Sequence, residues 1–257
     1  LITSDDGGNY YVPSFGVDQI GDLNPLEGYS AFLQGSEGAT LSIEGIPLDP
    51  TSMIHLDGLQ VNLMPYVPQD CMGTADIFSG VEDRLLIISD DNGNYFVPSF
   101  GVMTLTEMCP SNGYEVFLQG MDDLDFQYPA SDGLARVETA ESKFWSDYTV
   151  NSVSTEYDIV KTGISHPIII TDIAGTVEVG DEFVAYAGDM VVGATKVVDL
   201  DAPVVISAWG GYHEFGIDLD GYTSGDKIDL RLWSESENRE LRVVADLDGD
   251  TFGEAPL

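Results

Sequence analysis

The residues best placed to bind a ligand are carboxylates near the C-terminal end of the sequence. Asp246, Asp248 and Asp250 occupy the first, third and fifth positions of the segment DLDGDTFGE, which ends at Glu254. Oxygen ligands at this spacing can converge on a hard cation, and calcium takes about six to eight of them. The main-chain carbonyl of Phe252 would add another oxygen. The pattern predicts a calcium site at Asp246, Asp248, Asp250 and Glu254.

This segment departs from a standard calcium loop at two positions. Thr251 stands where such loops have glycine, and Leu257 stands where they have a bidentate carboxylate. The alternative interpretation is an acidic hairpin turn after a strand that ends near Ala245. A second acidic loop, residues 218–226, has weaker spacing, and we interpret it as a turn.

The other reactive side chains form no catalytic set by their spacing. The histidines, His55, His166 and His213, and the two cysteines lack the spacing of a four-ligand zinc site. The sequence also has no GxSxG motif to present a nucleophilic serine. His166 stands at the start of an apolar strand and is interpreted as a partly buried histidine whose hydrogen bonds are satisfied. The sequence therefore predicts a protein that is not an enzyme.

A binding role remains open for the aromatic residues of the C-terminal part. Tyr186, Trp209, Tyr212 and Trp233 could stack on sugar rings from one face of a sheet. Aromatic residues in strands more commonly pack in the core or against a neighbouring strand. The alternatives are thus a glycan- or protein-binding module and an ordinary sheet.

Cys71 and Cys109 are the only cysteines of the sequence. In a secreted chain they would form a disulfide, which the chain-entropy model values at roughly 3–4 kcal/mol. The alternative is two unpaired cysteines packed as small apolar residues. We predict the disulfide.

The charge of the chain excludes several classes of partner. Nine basic residues against 45 acidic ones give a net charge of −36. Nucleic acids and anionic membranes would repel such a chain. A hydrophobic content of 43% is too high for an acidic disordered tail, so the chain is expected to fold. Dense carboxylates are stabilised by screening, which predicts a protein adapted to salt or calcium.

An internal repeat sets the organisation of the chain. Residues 1–35 align without gaps on residues 86–120, and 21 of the 35 positions are identical. This similarity indicates a tandem duplication. The first copy lacks the residues that precede 86 in the second, so its opening strands are expected upstream of Leu1, and the chain is expected to be a fragment or a processed product.

Short strands account for most of the predicted structure. Proline ends a strand in each copy, and Asn-Gly or Gly-Gly favours the tight hairpin before it. One short helix is predicted at residues 76–83, with Asp76 as a cap. The predicted strands of the repeats cover residues 29–33, 59–65, 86–89, 95–97 and 114–118. Those of the C-terminal part cover residues 157–160, 168–172, 183–187, 190–198, 204–209, 227–233 and 240–245.

The repeat and the C-terminal part each resemble modules of large secreted surface proteins from environmental and marine bacteria. In the repeat the resemblance rests on VNLMPYVPQD, DIFSGVED and DNGNYFVPSFG followed by GYEVFLQG. In the C-terminal part it rests on VGDE, VGA, AW, DGY and RLW. These motifs are turn and core residues, so they identify a type of module and no reaction. The resemblance implies an exported, multidomain and β-rich protein.

The predicted fold class is mainly β, with duplicated small β modules followed by an antiparallel sandwich of immunoglobulin-like or jelly-roll-like type. The predicted domains are a partial repeat at 1–45, a full repeat at 46–129, a linker at 130–154 and the sandwich at 155–257. The predicted function is that of a structural segment of an extracellular surface protein, a stalk, adhesin or filament subunit. Its expected partners are neighbouring modules or copies of itself in a fibre, and glycans under the binding alternative.

Overall fold

The structure is a computed structural model that describes residues 1–4, 9–33, 38–42, 45–130, 154, 156–213 and 218–253. Strands make up 39% and helices 6% of it, in several antiparallel sheets. The predicted mainly β, sandwich-like fold class is therefore confirmed. The chain divides into two compact units, which comprise the described residues of 1–90 with 105–143, and of 91–104 with 144–257.

The first copy of the repeat folds into a four-stranded antiparallel sheet of order β3-β2-β1-β4. Its strands are β1 (Ile2–Ser4), β2 (Tyr10–Val12), β3 (Val17–Asp18) and β4 (Tyr29–Ala31). Between β2 and β3, Pro13–Phe15 form a 3-10 turn that ends at Gly16, whose φ of 64° is left-handed. Glycine adopts this conformation without steric cost, which explains its place after the turn.

The second copy adds strands before and after the repeated part. The elements are β5 (Ile54–Leu56), β6 (Val61–Met64), β7 (Met72–Gly73), helix α1 (Thr74–Ile77), β8 (Leu85–Asp90), β9 (Tyr95–Val97), β10 (Val102–Met103), β11 (Glu107–Met108), β12 (Tyr114–Leu118) and β13 (Leu124–Phe126). Five of the strands form a sheet of order β10-β9-β8-β12-β6. The pairs β11-β7 and β13-β5 form two small sheets beside it.

The repeated strands adopt one arrangement in both copies. The order β3-β2-β1-β4 of the first copy recurs as β10-β9-β8-β12 in the second. The tyrosine that begins the last strand accepts a hydrogen bond from a main-chain N–H five residues before it in each copy. The distance is 2.8 Å from Asn24 N to the Tyr29 hydroxyl and 2.6 Å from Cys109 N to the Tyr114 hydroxyl. Sequence identity between the copies thus extends to sheet order and to a specific side-chain contact.

Equivalent residues of the two copies differ greatly in burial. Tyr10 is 41% exposed, whereas Tyr95, at the same position of the second copy, is 1% exposed. Tyr11 is 39% exposed, whereas the equivalent Phe96 is fully buried. The two sheets therefore share a backbone arrangement in different environments.

The predicted helix at 76–83 is wrong in its extent. Helix α1 covers only Thr74–Ile77, and Asp76 lies inside its first turn and does not cap it. Gly80 has a left-handed φ of 89°, which is incompatible with continuing the helix, and a 3-10 turn follows at Glu82–Arg84. In the described part of the chain, no helix has the length and apolar character needed to cross a bilayer.

The C-terminal part forms two antiparallel sheets that share a core. The strands are β14 (Ser165–Ile170), β15 (Glu182–Ala187), β16 (Met190–Lys196), β17 (Val204–Trp209), β18 (Ile228–Ser234) and β19 (Arg239–Arg242). One sheet has the order β14-β17 and the other β16-β15-β18-β19. Residues 157–160 were predicted as a strand and are not one. The side chain of Tyr157 contacts Glu240 of the second sheet.

Alternate residues of both sheets form the core. The buried apolar side chains come from β14 and β17 on one side and from β15, β16 and β18 on the other, and they include Ile168, Ile206, Phe183, Val192 and Leu230. The sheets approach closely at Gly193, where a Cβ atom would lie 2.5 Å from the carbonyl oxygen of Ser207. Any larger residue at position 193 would clash with β17, so this position requires glycine.

Candidate functional site

The pairing of β5 with β13 brings a histidine and an aspartate together on the surface of the first unit. His55 and Asp125 lie directly opposite each other in this antiparallel ladder. Their strand neighbours Ile54, Leu56 and Phe126 are buried, so His55 and Asp125 occupy the exposed face. The Nδ1 atom of His55 lies 2.9 Å from Oδ1 of Asp125. Since a carboxylate only accepts hydrogen bonds, Nδ1 carries the proton and donates it.

Two further carboxylates flank the other nitrogen of the same imidazole. Nε2 of His55 is 3.7 Å from Oδ1 of Asp57 and 3.8 Å from Oδ2 of Asp123. One ligand atom from each of these three residues lies within 4.8 Å of the other two. Asp123 is held by a hydrogen bond of 3.0 Å from the main-chain N–H of Gly58. We call His55, Asp57, Asp123 and Asp125 the His55 cluster.

Three carboxylates surround the imidazole of the His55 cluster. The hydrogen bond to Asp125 is the main cause that raises the pKa of His55, and the charges of Asp125, Asp57 and Asp123 raise it further. All four side chains are at least half exposed, so solvent screens these interactions. This cluster was not predicted from the sequence, because Asp123 is far from His55 along the chain and only the pairing of β5 with β13 brings them together.

The structure describes three of the four predicted calcium ligands, Asp246, Asp248 and Asp250. Glu254 lies outside the described residues. Among the described residues, Asp246, Asp248 and Asp250 belong to no group of three ligand atoms within 4.8 Å of one another. The calcium site at these residues stays a prediction.

The main chain of the same segment pairs with the turn before β18. Ile228 N donates to the carbonyl of Asp250 at 3.0 Å, and Phe252 N donates to the carbonyl of Asp226 at 2.8 Å. The carbonyl of Phe252, which was expected to bind calcium, accepts the N–H of Gly225 at 2.8 Å. Main-chain hydrogen bonds thus join this segment to residues 225–228, whereas the alternative interpretation placed a hairpin turn after Ala245.

Cys71 and Cys109 form a disulfide in the structure. The bond lies next to the β11-β7 ladder, in which Met108 is opposite Met72. Glu107 lies near the two sulfur atoms. Because the sulfurs are bonded to each other, they offer no thiolate to a metal ion.

His166 is buried in the core of the second unit, where it contacts two aromatic rings. Its ring centroid lies 6.1 Å from that of Tyr222 and 5.7 Å from that of Phe252. Contrary to the interpretation from the sequence, no residue that the structure describes forms a hydrogen bond with its Nδ1 atom. Burial lowers the pKa of His166, because the apolar surroundings disfavour the charged imidazolium.

Acid will destabilise the second unit through His166. A histidine whose pKa is lowered on folding binds fewer protons in the folded state, so stability falls as the pH drops below its unfolded value of about 6.5. Urea unfolding of the wild type and of His166→Leu, measured near neutral pH and below the unfolded pKa, will show a smaller acid loss in the variant. His213→Leu, at an exposed position, should behave as the wild type does. Equal acid losses in the wild type and His166→Leu would refute this role.

Two of the four aromatic residues of the glycan-binding alternative are not accessible. Trp209 and Tyr186 are buried, and the guanidinium of Arg231 lies 3.9 Å from the centre of the Tyr186 ring. The ring of Trp233 contacts Tyr157 edge to face. The four residues therefore do not present a common flat surface to a ligand.

A network centred on Glu240 fastens residue 157 to the outer face of the second sheet. Glu240 accepts hydrogen bonds from the Tyr157 hydroxyl at 2.6 Å, from the Tyr186 hydroxyl, and from Arg231 at 3.2 Å. Desolvation raises the pKa of Glu240, but these hydrogen bonds outweigh it and the pKa is lowered. With all its partners supplied by the protein itself, this network has a structural role.

No protein-family model, curated protein or solved structure matches the chain. The two cysteine sulfurs are bonded to each other, His166 is buried in the core, and Glu240 is hydrogen-bonded by side chains of the protein itself. The His55 cluster gathers ligand atoms at an exposed position.

Proposed function

We propose that this chain is a structural, non-enzymatic segment of an extracellular surface protein, acting as a stalk, adhesin or filament subunit. The observation that carries the proposal is the repeated sheet, with the order β3-β2-β1-β4 recurring as β10-β9-β8-β12. The copies share turn and core residues, such as the 3-10 turn closed by Gly16 and Gly101. Repetition of scaffold residues supports a role in extension.

The disulfide and the charge support an extracellular location. Disulfides persist in oxidising compartments and are rare in the cytosol. A net charge of −36 on 257 residues is best tolerated where salt or calcium screens it. We propose that the protein works in a saline, oxidising environment.

A sheet edge in the second unit offers a route to filaments. Among the described residues β14 pairs with β17 alone, so its other edge has no partner strand there, and it contains Pro167, which is typical of edge strands. Beside it runs a groove of about 650 Å³ whose lining includes Ile169, Leu230 and Leu241. A strand of a second copy would add main-chain hydrogen bonds to β14 and place alternate apolar side chains in the groove.

The test is the assembly state of the purified chain across salt and calcium concentrations. Light scattering and electron microscopy of the wild type should show copies joined end to end once charge repulsion is screened. Ile169→Lys should prevent assembly, whereas Val160→Lys, which adds the same charge at an exposed site, should assemble normally. A wild type that stays monomeric under all conditions would contradict the filament form. The glycan-binding alternative gains no specific support from the described residues.

A further inference from the structure

The His55 cluster differs from an ordinary acidic patch because its central ligand is an imidazole nitrogen. The hydrogen bond from Nδ1 to Asp125 leaves the lone pair of Nε2 free. That nitrogen faces Asp57 and Asp123, at 3.7 Å and 3.8 Å. In metalloproteins a ligating histidine commonly donates its other N–H to a carboxylate, which fixes the ring and increases the basicity of the free nitrogen.

The orientation of this imidazole is set by the sheet. His55 and Asp125 are cross-strand partners in the β5-β13 ladder, so the register itself places the carboxylate beside Nδ1. Asp57 directly follows β5, and Asp123 directly precedes β13. The three prospective ligands therefore lie at one end of a two-stranded sheet.

The separations are close to those of a metal site. Zinc bound at about 2.0–2.1 Å in a tetrahedron keeps its ligand atoms about 3.3 Å apart. The distances from Nε2 to Asp57 and Asp123 exceed this by about half an ångström, a shift that surface carboxylates can make by rotation about their side-chain bonds. Because the cluster is exposed, a water molecule can complete the coordination.

We propose that His55, Asp57 and Asp123 bind one divalent cation of the zinc type, with Asp125 as the positioning residue for the imidazole. A nitrogen ligand favours zinc and neighbouring transition metals, whereas calcium prefers a site made of oxygen atoms alone. Two carboxylates match the charge of such an ion. The ion would connect the end of β5 to the start of β13 and so stabilise the first unit. This proposal is independent of the structural function above.

The test is zinc binding to the purified chain after removal of bound metal, measured by equilibrium dialysis. High salt and excess magnesium suppress diffuse binding to the acidic surface. The wild type should bind one zinc ion under these conditions. His55→Gln should lose this ion, and Asp125→Asn should weaken binding by about 10- to 100-fold. The control is His213→Gln, because His213 is also exposed and pairs with a carboxylate, Asp218; it should bind zinc as the wild type does.

Two further measurements separate a site from a folding defect. Circular dichroism should show that the variants are folded without zinc. Cobalt, which reports nitrogen and oxygen ligation by its visible absorption, should give a spectrum with the wild type and none with His55→Gln. The proposal is overturned if His55→Gln keeps the zinc stoichiometry and affinity of the wild type, or if magnesium displaces all the zinc.

Discussion

Replacing both Cys71 and Cys109 with serine will lower the free energy of unfolding of the first unit by about 4 kcal/mol in the chain-entropy model. The bond joins residues separated by 38 positions. Without it the unfolded chain gains the freedom of a long loop, whereas the folded ladder of β7 and β11 keeps its other contacts. Removal of both sulfurs avoids a free thiol that would form bonds between molecules.

Hydrogen exchange followed by mass spectrometry will locate this effect. Peptides from residues 54–90 and 105–130, which belong to the first unit, should lose protection in the double variant, and wild type treated with reductant should behave in the same way. The three tryptophans, at positions 145, 209 and 233, all lie outside this region, so their fluorescence gives a separate reading of the rest of the chain. Unchanged protection of the peptides would show that the disulfide does not stabilise the first unit.

Replacing Phe252 with alanine will destabilise the second unit by about 3–5 kcal/mol, the usual cost of removing a buried phenylalanine. Phe252 is 1% exposed and stacks on Tyr222, with the ring centroids 4.4 Å apart. It anchors the acidic segment that follows Ala245 to the core. Loss of the ring leaves a cavity and weakens the main-chain pairing of Phe252 with Gly225 and Asp226.

Urea unfolding followed by tryptophan fluorescence will measure the effect of Phe252→Ala, because Trp209 and Trp233 belong to the same unit. The control is Phe100→Ala, since Phe100 is 48% exposed and has much less to lose. A midpoint for Phe252→Ala equal to that of Phe100→Ala would mean that the segment does not contribute to the core. Calcium should not rescue the variant if the segment is an ordinary turn.

Strands with a local signal were predicted well from the sequence. The bounds of β9, β12 and β17 agree with the predicted ranges 95–97, 114–118 and 204–209. Each of them combines β-branched or aromatic residues with a turn signal nearby, so the information lies within a few residues. The repeat strengthened the prediction of β9 and β12, because the same residue pattern occurs in both copies.

Elements that depend on distant contacts were not predictable in this way. β5, β7, β11 and β13 have two or three residues each, too few for a period-two pattern to show. The His55 cluster forms only when β5 pairs with β13, so no local motif could indicate it. Residues 157–160 have a strand-like pattern but form no strand. The contact of this segment that the local pattern could not predict is the hydrogen bond from the Tyr157 hydroxyl to Glu240, 83 residues away.

The unequal burial of the two repeats makes the molecule its own reference system. Tyr10 and Tyr95 are the same amino acid at the same strand position, yet Tyr10 is exposed and Tyr95 is buried. A matched pair of substitutions at such positions cancels intrinsic strand preference and leaves the contribution of the surroundings. The protein thus provides, within one polypeptide, the paired experiment that host–guest studies usually assemble from separate molecules.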